Sequence, residues 1–337
     1  MIATRLVEPG DPPTFALEQL PGPVAGPGEV VVSLRAAALN RRDWWIWTDP
    51  ASDPLPVTLG SDGAGVVESV GGGVDGVAVG DEVVIDATLG WGDREDEPGE
   101  AFDILGSPLD GTFAEQVVVP AANVAPKPAR LSWEEAAALS LAGLTAWRAV
   151  VTCAEAAPGR SLLITGAGSG VSTFAVQIAA ALGAEVWVTS GSEEKLARAA
   201  ALGAAGGVSY RHPAWPERLV ELAGAPLDAA IDSYGGASWA GALRTLRRGS
   251  TLVSFGDTGA AEAAIDVSEV YWQWRRIVGT TMGSPREYRA LLAHVETASW
   301  RPVVDSVFPL AEIDAAARRL DAPERFGKVV LSIPKPS

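Results

Sequence analysis

Residues 161–172 read Ser161-Leu162-Leu163-Ile164-Thr165-Gly166-Ala167-Gly168-Ser169-Gly170-Val171-Ser172. A short apolar run bounded by glycine suits a buried parallel strand. Beyond the glycines, Val171, Phe174, Ala175, Ile178, Ala179 and Leu182 recur at helical spacing, and Gly183 stands where a helix ends. A second apolar run, Glu185-Val186-Trp187-Val188-Thr189-Ser190, completes a βαβ unit. Glycines in its first turn let backbone N–H groups approach a pyrophosphate, and the helix N-terminus adds partial positive charge. The plain alternative is an ordinary α/β turn; the strand-turn-helix-strand context favours a dinucleotide. The turn departs from a strict G-x-G-x-x-G. Counted from Gly166 the last position is Val171, and counted from Gly168 it is Thr173.

The end of the second strand bears on the coenzyme. An NAD site usually carries an acid there for the ribose 2′-OH. Here the residues are Thr189-Ser190-Gly191-Ser192. Ser190 and Glu193 have the spacing of a capping box, and Lys195 stands at a helix start, where a cation opposes the dipole. Lys127, Lys195, Lys328 and Lys335 are the only lysines, so the placement is selective. A 2′-phosphate explains it, and NADPH is the coenzyme expected; the alternative is that Glu193 and Glu194 merely offset Lys195.

Working outward, strands are expected at 207–210, 227–233, 250–256 and 277–282, with helices at 216–223 and 237–246. Alternating strands and helices imply a doubly wound parallel sheet, which binds ligands at its strand C-terminal ends. That makes Ser233, Tyr234, Gly235, Phe255, Gly256 and Gly283 candidate cofactor contacts. The tail, with helices at 285–297 and 311–320 and strands at 304–308 and 328–333, breaks the alternation and is expected to return to the first domain.

The N-terminal part is strand-like, with runs at 30–34, 65–70, 83–85 and 113–119. Asn40-Arg41-Arg42-Asp43-Trp44-Trp45-Ile46-Trp47 reads either as a surface turn or as a pocket wall for a flat ligand. Residues 86–112 look like a long acidic loop, a solvated excursion rather than a metal site. Ser132-Trp133-Glu134-Glu135 is a capping box opening the apolar segment 136–151. Within that segment Thr145 is either a plain helix residue or a hydroxyl facing the cofactor.

Composition narrows the class. The chain has 337 residues, enough for two domains, and 26 basic against 42 acidic residues give a charge of −16. That balance opposes binding to nucleic acid or anionic membranes. The single cysteine, Cys153, excludes an internal disulfide and a multi-cysteine zinc site. No signal peptide or transmembrane run is evident, so a cytoplasmic location is expected.

As a set, Ala38-Leu39-Asn40-Arg41-Arg42-Asp43, Leu59-Gly60-Ser61-Asp62-Gly63-Ala64-Gly65-Val66-Val67, Val79-Gly80-Asp81-Glu82-Val83, Gly111-Thr112-Phe113-Ala114-Glu115, Ala142-Gly143-Leu144-Thr145-Ala146-Trp147, the glycine turn and Phe326-Gly327-Lys328-Val329-Val330 resemble the medium-chain dehydrogenase/reductase superfamily. The resemblance covers nearly the whole chain. It implies an α/β fold in which a Rossmann doubly wound parallel sheet (141–284) is inserted in a GroES-like β-rich catalytic domain (1–140 and 285–337). In the zinc branch a cysteine, a histidine and a second cysteine hold catalytic metal. The matching positions here are Asn40, Ser61 and Leu141, none a good zinc ligand. The chain therefore resembles the zinc-free quinone oxidoreductase branch.

By the same resemblance Asn40 and Thr145 face the nicotinamide, and Gly168, Ser169, Gly170 and Val171 wrap the pyrophosphate. Ser190, Lys195 and Tyr210 surround the 2′-phosphate, and Lys328 approaches the cofactor. Ser172 stands where the family usually has glycine. Asn40, Arg41 and Asp43 are the catalytic candidates: donors to a developing oxyanion, with Asp43 orienting a neighbour. The expected activity is NADPH-dependent reduction of a quinone or α,β-unsaturated carbonyl. The alternatives are an NADP-dependent alcohol/aldehyde dehydrogenase and a non-catalytic NADPH-binding protein. The expected partners are a small-molecule substrate and a second copy, joined by sheet edges near 277–282; Tyr271-Trp272-Gln273-Trp274 reads either as a pocket lining or as part of that interface, and the interface is favoured.

Overall fold

The computed structural model describes residues 1–49 and 54–334; Lys335 lies outside the described residues. The chain divides into two compact units, Met1–Ala142 with Ser284–Ser337, and Gly143–Gly283.

The second unit is built on a six-stranded parallel sheet. Its spatial order is Gly206–Ser209, Glu185–Ser190, Ser161–Ile164, Leu227–Asp232, Leu246–Ser254, Arg276–Gly279. In chain order this is 3-2-1-4-5-6, the doubly wound arrangement, with the glycine turn where the order reverses. The apolar runs read as buried strands are buried: Leu162, Leu163, Ile164, Val186 and Val188 are in the core. Below the sheet, Trp187, Val208, Leu219, Leu227, Ala230 and Leu252 close on one another, with Trp215 and Trp239 packed against them.

The first unit is mainly β. Strand Glu29–Ala38 is its hub, pairing antiparallel with Asp62–Val70, Gln116–Pro120 and Lys328–Ser332. A smaller sheet joins Ile2–Glu8, Thr14–Gln19 and Val57–Thr58. The C-terminal strands Val304–Pro309 and Lys328–Ser332 lie in this unit.

Three local readings need correction. Residues 40–47 do not form a turn: Arg41–Thr48 is a helix, because the Asp43 carboxylate accepts the Asn40 N–H at 2.6 Å and satisfies a free end, and its Trp44 and Trp47 line a pocket. Residues 86–112 are not wholly loop, since Thr88–Leu89 pairs with Asp103–Ile104. The helix after the second strand is capped by Ser192, whose hydroxyl accepts the Lys195 N–H at 3.4 Å, and not by Ser190 and Glu193. Ser190 turns its hydroxyl to the Ser192 N–H instead.

Candidate functional site

In the second unit the glycine turn has the conformation a phosphate cradle needs. Gly166 and Gly168 have φ of 67° and 108°, a region that side chains with a Cβ resist. The turn is pinned from the neighbouring strand: Ala167 N–H donates to the Thr189 carbonyl at 2.8 Å. Ser169 is the N-cap of helix Gly170–Ala181, and its hydroxyl accepts the Ser172 N–H at 3.0 Å. Val171 lies in the first helical turn. Ser172 is buried and donates its own hydroxyl to the Thr165 carbonyl at 3.2 Å. Where a glycine would allow close helix–strand approach, a hydrogen bond ties the two elements together.

Beyond the second strand, Ser190 is buried and Tyr210 is exposed. A Cβ placed on Gly191 would lie 2.6 Å from the Tyr210 hydroxyl and 3.1 Å from Arg211 Nε. The Tyr210 and Arg211 side chains therefore lie against the turn that carries Ser190 and Ser192. Sequence reasoning missed Arg211; its place directly after Tyr210 was the available signal. Lys195 is the third residue of the helix that Ser192 caps.

The candidates at the far strand ends share one organiser. Asp232 is buried and accepts from Thr165 Oγ1 at 2.7 Å, from the Tyr234 and Gly235 N–H groups at 3.0 and 2.8 Å, and from Ser238 Oγ. Ser233 follows it directly, and Phe255 N–H donates to the Asp232 carbonyl, so Ser233, Phe255 and Gly256 sit at adjacent strand ends. Gly283 lies four residues past the last strand. Thr145 is buried in helix Ser140–Trp147.

In the first unit three strand ends meet. Ala38 is opposite Val330 on one side and Asp62 on the other. The antiparallel register therefore carries Lys328 level with Asn40, just beyond the pairing. Lys328 Nζ donates to Asp62 Oδ2 at 2.8 Å and to Asn40 Oδ1. Asn40 Nδ2 reaches the same Asp62 oxygen at 3.0 Å, and Leu141 N–H donates to Asp62 Oδ1 at 2.7 Å. Lys328 is 3% exposed and Asp62 0%. Asp62 was not among the expected site residues, although it follows Ser61 in the quoted motif. Within this unit Lys328, expected near the cofactor, is bonded to Asp62 and Asn40.

The other two catalytic candidates diverge. Asp43 is fully buried beneath Asn40, and its Oδ1 has no hydrogen-bond partner. Burial pushes its carboxyl up to about 6 against the pull of the Asn40 N–H, Arg42 and Lys328. Arg41 points elsewhere: it pairs with Asp321 at 3.0 Å and lies over the Trp44 ring.

The donors at the three zinc-equivalent positions are poor or engaged. The Asn40 amide serves Lys328 and Asp62, the Ser61 hydroxyl donates to the Leu105 carbonyl at 2.6 Å, and Leu141 offers only an aliphatic side chain. Among the described residues, no three His, Cys, Asp or Glu side chains group as a metal site. This donor set does not fit zinc.

Comparison with known proteins agrees with both units. Residues 26–129 match the model of the alcohol dehydrogenase GroES-like domain, and residues 170–297 that of the zinc-binding dehydrogenase. A zinc-type alcohol dehydrogenase-like protein of Schizosaccharomyces pombe is 35% identical over 317 residues, covering 91% of each chain. A quinone oxidoreductase of Pongo abelii is 27% identical, covering 98% of this chain and 97% of its own. A crystal structure of an NAD-dependent alcohol dehydrogenase superposes with a TM-score of 0.92 at 41% identity, covering 99% of this chain and all of that one. No helix among the described residues is long and apolar enough to cross a membrane.

Proposed function

This chain belongs to the medium-chain dehydrogenase/reductase superfamily, and from that premise we propose that it reduces quinones or α,β-unsaturated carbonyls with NADPH and without catalytic zinc. The observation that carries the proposal is the donor set around Asn40, Ser61 and Leu141, which offers an amide, an engaged hydroxyl and an aliphatic chain. An alcohol loses hydride most readily when a Lewis acid takes its oxygen. A conjugated acceptor needs less, because charge from the incoming hydride spreads to an oxygen that hydrogen bonds can hold.

The second unit fits the coenzyme. Gly168, Ser169, Gly170 and Val171 would hold the pyrophosphate at the helix N-terminus. Ser190, Lys195, Tyr210 and Arg211 would hold the 2′-phosphate: two cations, two hydroxyls and no carboxylate at the strand end. When bound, NADPH supplies the hydride. This chain's own contribution is to orient and to stabilise. Asp43 fixes the Asn40 backbone, Asp62 and Lys328 fix its side chain, and the proton that completes the product comes from water.

A second reading has support from the 41% identical relative, which is named an NAD-dependent alcohol dehydrogenase. The two readings separate in one experiment. NADPH consumption with naphthoquinones and small enones is the expected result. Alcohol-driven reduction of NAD or NADP, with no quinone or enone turnover, would replace the proposal. Tight NADPH binding with no turnover on either panel would leave a binding protein.

We also propose a homodimer. Strand Arg276–Gly279 is one of the two open edges of the parallel sheet, and Tyr271, Trp272 and Trp274 beside it are exposed. Unpaired strand edges with exposed aromatics are suited to pairing with a copy.

A further inference from the structure

We propose that the Lys328 ammonium is a catalytic electrophile of this protein: it occupies the place of a metal cation and receives the substrate oxygen on which negative charge develops. The inference rests on the reductase reading above and names the group that would hold that oxygen.

Four observations converge. The ammonium is almost wholly buried, and its counter-charge, Asp62, is wholly so. Buried ion pairs are weak contributors to stability, and an apolar pair of the same volume often serves better. A buried pair among candidate catalytic residues therefore calls for a role other than stability. The second observation is valence. An ammonium has three N–H donors. Two go to Asp62 Oδ2 and Asn40 Oδ1, and the third has no acceptor among the described residues. Third, the group is preorganised. Asp62 is itself held by the Leu141 N–H and the Asn40 amide, so the charge is fixed by three separate strand ends before any substrate arrives. Such donors are effective because they need no reorganisation when charge appears. Fourth, positions 40 and 141 and the neighbour of position 61 surround this ammonium or its carboxylate. These are the places assigned to zinc ligands by the resemblance. The ring of positions is kept and the cation in it is different.

Chemically, Lys328 gives a hydrogen bond and keeps its proton. Hydride adds to the electron-poor carbon of the substrate, the conjugated oxygen becomes an oxyanion, and the ammonium holds it until water protonates the product. Asp62 and Asn40 are positioning residues. The competing explanation is that Lys328 only neutralises Asp62.

The test uses 4-nitrophenolate as an oxyanion probe and 4-nitroanisole as its uncharged control, both titrated into the full-length protein without coenzyme. Wild type is expected to prefer the phenolate and to lower the pH at which the bound phenol ionises. The paired variant Lys328→Met/Asp62→Asn removes both charges together, so no lone charge is left buried. It should lose roughly ten- to a hundredfold in phenolate affinity, the scale of one charge-assisted hydrogen bond, with the anisole unaffected. With NADPH and an enone its kcat should fall on the order of a hundredfold or more while NADPH affinity stays within threefold. Equal phenolate binding by variant and wild type, or a wild type that binds both probes alike, would overturn the proposal. So would a loss of NADPH affinity that accounts for the lost rate. If the variant fails to fold, the wild-type measurement decides alone: a bound phenol that ionises at its solution pH refutes the electrophile. Failure of the reductase reading shows separately, as absent turnover by wild type despite phenolate binding.

Discussion

Replacing Asp86 by asparagine should make this protein more stable in neutral and alkaline solution. Asp86 directly follows strand Glu82–Ile85, is buried, and accepts the Thr88 N–H at 3.0 Å. Burial raises its carboxyl from 3.8 to about 6, because hydrogen bonding from Thr88 and the nearby Arg289 do not repay the lost water. The folded value lies above the unfolded one, so between about pH 4 and 6 the native chain keeps a proton that the unfolded chain has lost. Stability therefore falls as pH rises through that window, and the cost is complete above it. About two pH units at ~1.4 kcal/mol each put that cost on the order of 3 kcal/mol. Asparagine retains an oxygen for Thr88 and carries no charge. Urea unfolding followed by tryptophan fluorescence should show Asp86→Asn more stable by about 2–3 kcal/mol near pH 8, with the gain gone near pH 4. Asp43 is raised to about 6 for the same reason, so the wild-type slope contains both groups and only the difference isolates Asp86. An equal gain at both pH values, or a loss near pH 8, would refute the electrostatic reasoning.

Three further outcomes follow from other parts of the molecule. Lys195→Ala and Arg211→Ala should each weaken NADPH at least about tenfold, the scale of one charged contact to phosphate, and leave NADH nearly unchanged in fluorescence titration; equal effects on both coenzymes would remove the phosphate role. Ser172→Val, which loses the bond to Thr165 and adds bulk at a buried site, should destabilise by about 1–3 kcal/mol and weaken either coenzyme, as melting curves with and without ligand will show. Trp272→Ser/Trp274→Ser should shift the scattering mass from dimer towards monomer at micromolar concentration; a monomeric wild type contradicts the proposed pairing.

Much of the second unit was legible because its signals are local. Strand Ser161–Ile164, the turn and helix Gly170–Ala181 lie within about twenty consecutive residues, and their burial follows the apolar pattern. Helix Arg41–Thr48 was missed because its pattern is weak: Ile46 and Trp47 face the core while Trp45 is exposed, and the capping acid lies within the helix itself. The choice between Ser190 and Ser192 as N-cap depends on where the strand stops, and two serines two residues apart satisfy the same spacing. The Lys328–Asp62–Asn40 cluster was not legible at all. It is created by the register of three strands, one of them more than 250 residues away in the chain, and no local pattern encodes which side chains such a register brings level. The family resemblance did bring Asn40 and Lys328 forward individually, but not the carboxylate that joins them.

The central claim is that hydride reaches a conjugated acceptor here without a metal. Its most direct test is the rate of NADPH oxidation by a naphthoquinone or enone, measured on protein exhaustively treated with EDTA and assayed for zinc in the same sample. The account predicts an unchanged rate with far less than one zinc per chain; activity that disappears with the chelator and returns with added zinc would contradict it.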